Sequence, residues 1–129
     1  MIRSIFPVAA VALVAFAVPA QAAEVKKFTA AEFAAAQGAG KAILVDVKAP
    51  WCPVCASQHG TIQSAIAASK FDKLTIFEID YDTQKDAWRA LGVHKQGTLI
   101  AYKGKKEVSR LEFQTDKTAI NNLLAAAVN

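Results

Sequence analysis

The chain has 129 residues, 53% of them hydrophobic, with a formal charge of +4 and a mean hydropathy of +0.23. That length holds one ordinary domain and not two. The composition excludes intrinsic disorder, collagen-like repeats and a protein that crosses a membrane many times, and so small a charge without a basic cluster gives no footing for nucleic-acid binding.

The apolar residues crowd into the first 22 positions, 17 of which are hydrophobic. Met1-Ile2-Arg3 is a short positive start, Ile5 to Val18 is apolar apart from Pro7, and Pro19-Ala20-Gln21-Ala22 supplies small residues at the spacing a signal peptidase reads. Residues 1–22 are therefore expected to be a cleaved export signal and residues 23–129 a single domain. The alternative is a membrane anchor, but the run from Ile5 to Ala20 is shorter than the ~20 residues of a spanning helix, and Pro19 breaks its end. The cleavage site has no cysteine, so a lipid-anchored form is not suggested. Export places the mature chain in an oxidising compartment.

A short strand is expected near Val25. Thr29 and Glu32 fit a capping box and Phe28 with Phe33 a hydrophobic staple, so a helix begins there and runs to Gly38. Ala42 to Val47 is a β-branched apolar run that reads as a buried strand. After Pro50 a helix carries both cysteines to about Ser69, with a bend expected at Gly60. Leu74 to Asp80 reads as a second core strand. Thr83 to Leu91 reads as a helix stopped by Gly92. Thr98 to Tyr102 and Lys106 to Leu111, joined by Lys103-Gly104-Lys105, read as a hairpin. A final helix to Val128 is capped by Thr115 or Asp116. Strands alternating with helices imply parallel pairs in a sheet covered on both faces, with the hairpin as an antiparallel edge. The fold class is α/β, with a central mixed sheet of four to five strands.

Cys52 and Cys55 are the only cysteines. A bridge between them closes a four-residue loop, worth about 2 kcal/mol in the chain-entropy model, so a structural staple is a poor account of the pair. Zinc needs four ligands and the pair supplies two, with His59 one helical turn on as a third. The redox reading is stronger. Pro53 suits the first turn of a helix, which makes Cys52 the N-cap. Cys55 then lies one turn deeper on the same side, where it is shielded. At the positive end of the helix the Cys52 thiolate is stabilised and its pKa should fall. The pair then divides into an attacking and a resolving thiol. Asp46, inside an apolar strand, should have a raised pKa if its carboxyl is buried; an edge position that exposes it is the alternative.

The segment Val45-Asp46-Val47-Lys48-Ala49-Pro50-Trp51-Cys52-Pro53-Val54-Cys55 resembles the active-site segment of thioredoxins, V-D-F-x-A-x-W-C-x-x-C, and the similarity extends from about Phe28 to Val128. It implies a thioredoxin-like fold and a thiol–disulfide oxidoreductase that needs no bound cofactor beyond its own disulfide. It also implies that Asp46 takes the proton of Cys55 as Cys55 resolves a mixed disulfide. Trp51, Pro53, Val54, Gln96, Gly97 and Thr98 would line the substrate groove. The chain departs from the pattern in three places. Lys48 replaces an aromatic residue, Glu78 stands where lysine is common, and the two together move a positive charge from one strand to its neighbour, where a lysine near Cys52 would favour its thiolate. The alternative for Lys48 is a solvated lysine. Gly97 stands where thioredoxins carry a cis-proline facing the disulfide. A cis bond to glycine costs about 2.5–4 kcal/mol, so a trans bond and a more open groove wall are expected, with easier access of metal to the thiolates. An ordinary turn glycine is the alternative there. Trp51 is expected beside the disulfide rather than in the core, and His59 and His94 at the surface.

The N-terminal signal implies export and the resemblance a periplasmic location, and a monomer is expected. Its partners would be exported proteins with disulfides or thiols and a membrane donor or acceptor of electrons. The compact chain favours a reductase. The alternatives are a disulfide oxidase of the same fold, a copper or iron–sulfur protein using the cysteines, and a peptide-binding module.

Overall fold

The computed structural model describes residues 2, 4–17 and 22–129. Arg3 of the charged start and Val18, Pro19, Ala20 and Gln21 before the expected cleavage point lie outside the described residues. Residues 4–17 have no regular secondary structure, and their large apolar side chains are exposed. No helix among the described residues is long and apolar enough to cross a membrane.

From residue 24 onward the chain forms β1 (Glu24–Lys27), α1 (Ala30–Gly38), β2 (Ala42–Lys48), α2 (Pro53–Ile66), a 3-10 turn (Ser69–Phe71), β3 (Leu74–Asp80), α3 (Lys85–Ala90), β4 (Thr98–Lys103), β5 (Lys106–Glu112) and α4 (Lys117–Val128). The five strands lie in the order β1-β3-β2-β4-β5. β1 and β2 run parallel to β3, whereas β4 is antiparallel to β2 and β5 antiparallel to β4. The sheet is mixed and α/β, as the alternation of patterns implies.

The twofold alternation of β2 sorts its side chains onto two cores. Ile43, Val45 and Val47 face α1 and α3 with Phe28, Phe33, Phe77 and Trp88. Leu44 faces α2 and α4 with Ile62, Leu99, Ile120 and Leu123. Asp46 and Lys48 share the parity of Leu44, so both belong to the α2 side of the sheet.

The helix starts follow their caps. Thr29 Oγ1 accepts the Glu32 N–H at 3.1 Å, and the Phe28 and Phe33 rings meet at 5.2 Å. Asp116, rather than Thr115, caps α4 by accepting the Ala119 N–H at 2.9 Å. Two helices are shorter than the sequence suggests. α2 runs through Gly60 but stops at Ile66, because Ala68 turns extended and carries Phe71 into the core. α3 begins at Lys85 rather than Thr83, because the Asp80 carboxylate takes the Asp82 and Thr83 N–H groups at 2.9 and 3.1 Å in a competing turn.

Candidate active site

β2 ends at Lys48, and the turn Ala49-Pro50-Trp51 delivers Cys52 to the start of α2. Cys52 is the N-cap, with extended backbone, and Pro53 occupies the first turn, where a missing N–H costs nothing. The Cys52 Sγ accepts the Cys55 N–H at 3.2 Å. Cys52 and Cys55 are joined in a disulfide with their Cα atoms 5.3 Å apart. Reduction would leave the Cys52 sulfur at the positive end of a 14-residue helix, holding a helix N–H, which favours its thiolate form. The expected contrast in shielding is not seen in the oxidised pair. Cys52 is 3% exposed and Cys55 5%, because Ala49, Val54 and Tyr81 pack around both. The asymmetry between the two sulfurs lies in their places on the helix instead.

Asp46 sits in the middle of β2 and is 4% exposed, which removes the edge alternative. Burial pushes its carboxyl from 3.8 up to about 7, with Lys48 pulling it down and Glu78 pushing it further up. Asp46 and Glu78 are register partners on adjacent strands. Lys48 forms an ion pair with Glu78, both side chains being half-buried, so Lys48 is not a freely solvated lysine. A cavity of about 390 Å³ lies beside the pair, lined by Lys27, Lys48, Pro50, Glu78, Asp80 and Gln84. The two charges thus act on Asp46, from a position open to water.

Trp51 is 56% exposed, beside the disulfide and not in the core. Its Nε1 donates to Asp82 Oδ2 at 2.9 Å. Its ring meets Tyr81 edge-on at 6.4 Å, and Tyr81 stacks on Trp88 at 4.8 Å. Three aromatic rings therefore run from the disulfide to the core.

Gly97 has φ +78°, and the described residues contain no cis peptide bond. A left-handed backbone favours glycine here, as the turn reading of the residue requires. Its N–H donates to the Val47 carbonyl at 2.7 Å, and its carbonyl accepts the Phe113 N–H at 2.9 Å. The groove wall is less open than the missing side chain suggests. A Cβ on Gly97 would stand 3.2 Å from the Phe113 ring and 3.4 Å from Val54. Phe113 has φ 55°, a strained backbone for a bulky residue, and Lys95 Nζ lies 3.8 Å from its ring centroid. Gln96 makes no backbone hydrogen bond to the described residues. Thr98 is buried, with its hydroxyl donating to the Lys95 carbonyl at 2.7 Å.

His59 and His94 are at the surface. Among the described residues no three His, Cys, Asp or Glu side chains are grouped to hold a metal, so His59 does not complete a ligand set with the cysteines.

Sequence reasoning missed Gln58, Phe113, Lys95, Tyr81 and Asp82. Gln58 had a signal: it lies one turn after Cys55 on the same side of a helix. The others reach the site from loops and distant strands, and nothing in their local pattern marks them.

A family model described as Thioredoxin matches residues 24–126. Thioredoxin-2 of Saccharomyces cerevisiae is 31% identical over 101 residues, which cover 78% of this chain and 94% of that protein. A thioredoxin of Mycolicibacterium smegmatis is 32% identical over 93 residues, covering 70% of this chain and 82% of that protein. The crystal structure of Trxlp from Edwardsiella tarda superposes with a TM-score of 0.75 at 37% identity, covering 78% of this chain and 98% of that one.

Proposed function

The chain belongs to the thioredoxin family and is a thiol–disulfide oxidoreductase acting on disulfide-bearing proteins with its own disulfide as the redox group; from that premise we propose that it is exported and reduces disulfides in exported proteins. The observation that carries the chemistry is the Cys52–Cys55 bridge at the start of α2, with the Cys52 sulfur capping the helix.

In the reduced protein the Cys52 thiolate attacks one sulfur of a substrate disulfide. That S–S bond breaks, a mixed disulfide forms, and the departing substrate sulfur takes a proton. Cys55 gives its proton to the Asp46 carboxylate and attacks the Cys52 sulfur. The mixed disulfide breaks, the second substrate sulfur leaves as a thiolate and takes the proton released by Asp46, and the Cys52–Cys55 disulfide is restored. Two electrons from the cysteines and two protons, one from Cys55 by way of Asp46 and one from water, have passed to the substrate. A carboxyl that titrates at about 7 is suited to both taking and releasing that proton near neutral pH. A donor at the membrane returns the electrons. Trp51, Pro53 and Val54 on one side and Gln96, Gly97 and Thr98 on the other border the path of a bound peptide. The unpaired Gln96 backbone is free to pair with it.

Export rests on the apolar, unstructured residues 4–17, which contribute no packing to the domain. Cell fractionation with N-terminal sequencing tests it: a periplasmic chain starting at Ala23 is expected, and a cytoplasmic chain retaining Ile5 to Val18 would refute it. The direction of transfer is read from the reduction potential. A value near the thioredoxin range, about −270 mV, is expected, and one near −120 mV would make the protein an oxidase. Cys52→Ser should abolish reduction of insulin.

A further inference from the structure

Gln58 lies on α2 behind the disulfide and is fully buried, 0% exposed. Its Nε2 donates to the Gly97 carbonyl at 2.9 Å and to the Gln114 carbonyl at 2.9 Å. Both partners are acceptors, so the carboxamide has one sensible orientation, nitrogen toward the loops. Its Oε1 is then buried with no hydrogen-bond partner among the described residues, on the side where a Gly97 Cβ would stand 3.7 Å away. The orphaned oxygen offsets part of what the two hydrogen bonds contribute, although an apolar side chain would in turn take the donor from the Gln114 carbonyl. Stability alone does not explain the glutamine.

Its connections do. One side chain joins the helix that carries both cysteines to the segment before β4 and the segment after β5. Gly97 is the weak point of that arrangement. Glycine gives the turn more freedom than any other residue, and a substrate that had to order the turn on binding would bind less tightly. The Gly97 carbonyl is held by Gln58 and by the Phe113 N–H, and the Gly97 N–H by the Val47 carbonyl.

We infer that Gln58 is a positioning residue: it holds the Gly97 turn at a fixed place relative to the disulfide, so that the free backbone of Gln96 meets an extended protein substrate already ordered. The inference rests on the reading of the chain as a reductase of protein disulfides. It separates two classes of substrate. A polypeptide disulfide uses the turn, whereas a small symmetrical disulfide reaches only the Cys52 sulfur.

The test follows single turnovers of the pre-reduced full chain with insulin and with 2-hydroxyethyl disulfide. Gln58→Met is expected to raise the half-saturating insulin concentration about ten-fold, with the limiting rate, the rate toward 2-hydroxyethyl disulfide and the reduction potential all within about two-fold of the parent's equilibrium or rate constants. Unchanged insulin saturation, or equal losses on both disulfides, would overturn the inference. Gln58→Glu supplies a second readout. Its protonated carboxyl can donate to one carbonyl, whereas the ionised form donates to neither and is repelled by both. The insulin defect should therefore deepen as pH rises, while the small disulfide keeps the parent's pH profile. A defect independent of pH would count against the role. A parent chain that reduced neither disulfide would overturn the functional reading, and this inference with it.

Discussion

The ammonium of Lys48 is paired with the carboxylate of Glu78 across the β2–β3 ladder, on the same side of the sheet as the buried Asp46. The two charges oppose each other in their action on Asp46. Lys48→Met should raise the Asp46 titration above its value of about 7, and Glu78→Gln should lower it. Carboxyl-carbon NMR titration reads both directions, and shifts of the same sign in the two variants would show that the pair does not act on Asp46.

Asp46 also sets the pH dependence of stability. Its carboxyl titrates near 3.8 in the unfolded chain and at about 7 in the folded one, so the folded state holds the extra proton between those values. The associated stability is fully present below about pH 4, falls as pH rises toward 7, and changes no further above it, a loss of about 4 kcal/mol. Asp46→Asn should flatten this slope and leave the protein more stable than the parent at pH 8, by urea unfolding. The same variant should resolve mixed disulfides on the order of 10²-fold more slowly near neutral pH, where the parent's carboxylate accepts the proton.

Gly97→Pro restores the residue type of the family at this position, yet it should be harmful here. Proline fixes φ near −65° and removes the N–H that bonds to Val47, so a loss of about 3 kcal/mol or more is expected. Gly97→Ala should lose about 1–2 kcal/mol from the left-handed backbone alone. A neutral Gly97→Pro in urea unfolding would mean that the turn readily adopts another geometry.

Phe113 holds a strained backbone while its ring covers Gly97. Phe113→Asn places a residue that tolerates left-handed geometry at the same point and removes the ring. Stability should stay within about 1 kcal/mol, because relief of strain offsets lost packing. Reduction of insulin should weaken while reduction of a small disulfide is retained. Equal activity on insulin would show that the ring is not part of the groove.

Much of this protein could be read before its structure was known. The buried strand at Ala42–Lys48, the cap at Cys52 and the hairpin at Gly104 were legible because each is governed by residues near it in sequence. The raised Asp46 carboxyl was legible because a lone acid in an apolar strand has few ways to be accommodated. The wall at Gly97 was not. Its ring comes from Phe113 and its clamp from Gln58, both distant along the chain, and a missing side chain says nothing about what fills its place. The shorter α3 has a different, local origin: the Asp80 side chain competes for the N–H groups that would have begun the helix.

The row of rings Trp51, Tyr81 and Trp88 gives the molecule an optical reporter of its own state. A disulfide accepts an electron from an excited indole, so an indole next to one emits weakly. Trp51 is wet and beside the bridge, whereas Trp88 is dry and separated from it by Tyr81. The two fluorophores should respond unequally when the bridge opens. Brightening on reduction should come chiefly from the red-shifted emission of Trp51, so turnover can be followed in real time without a label.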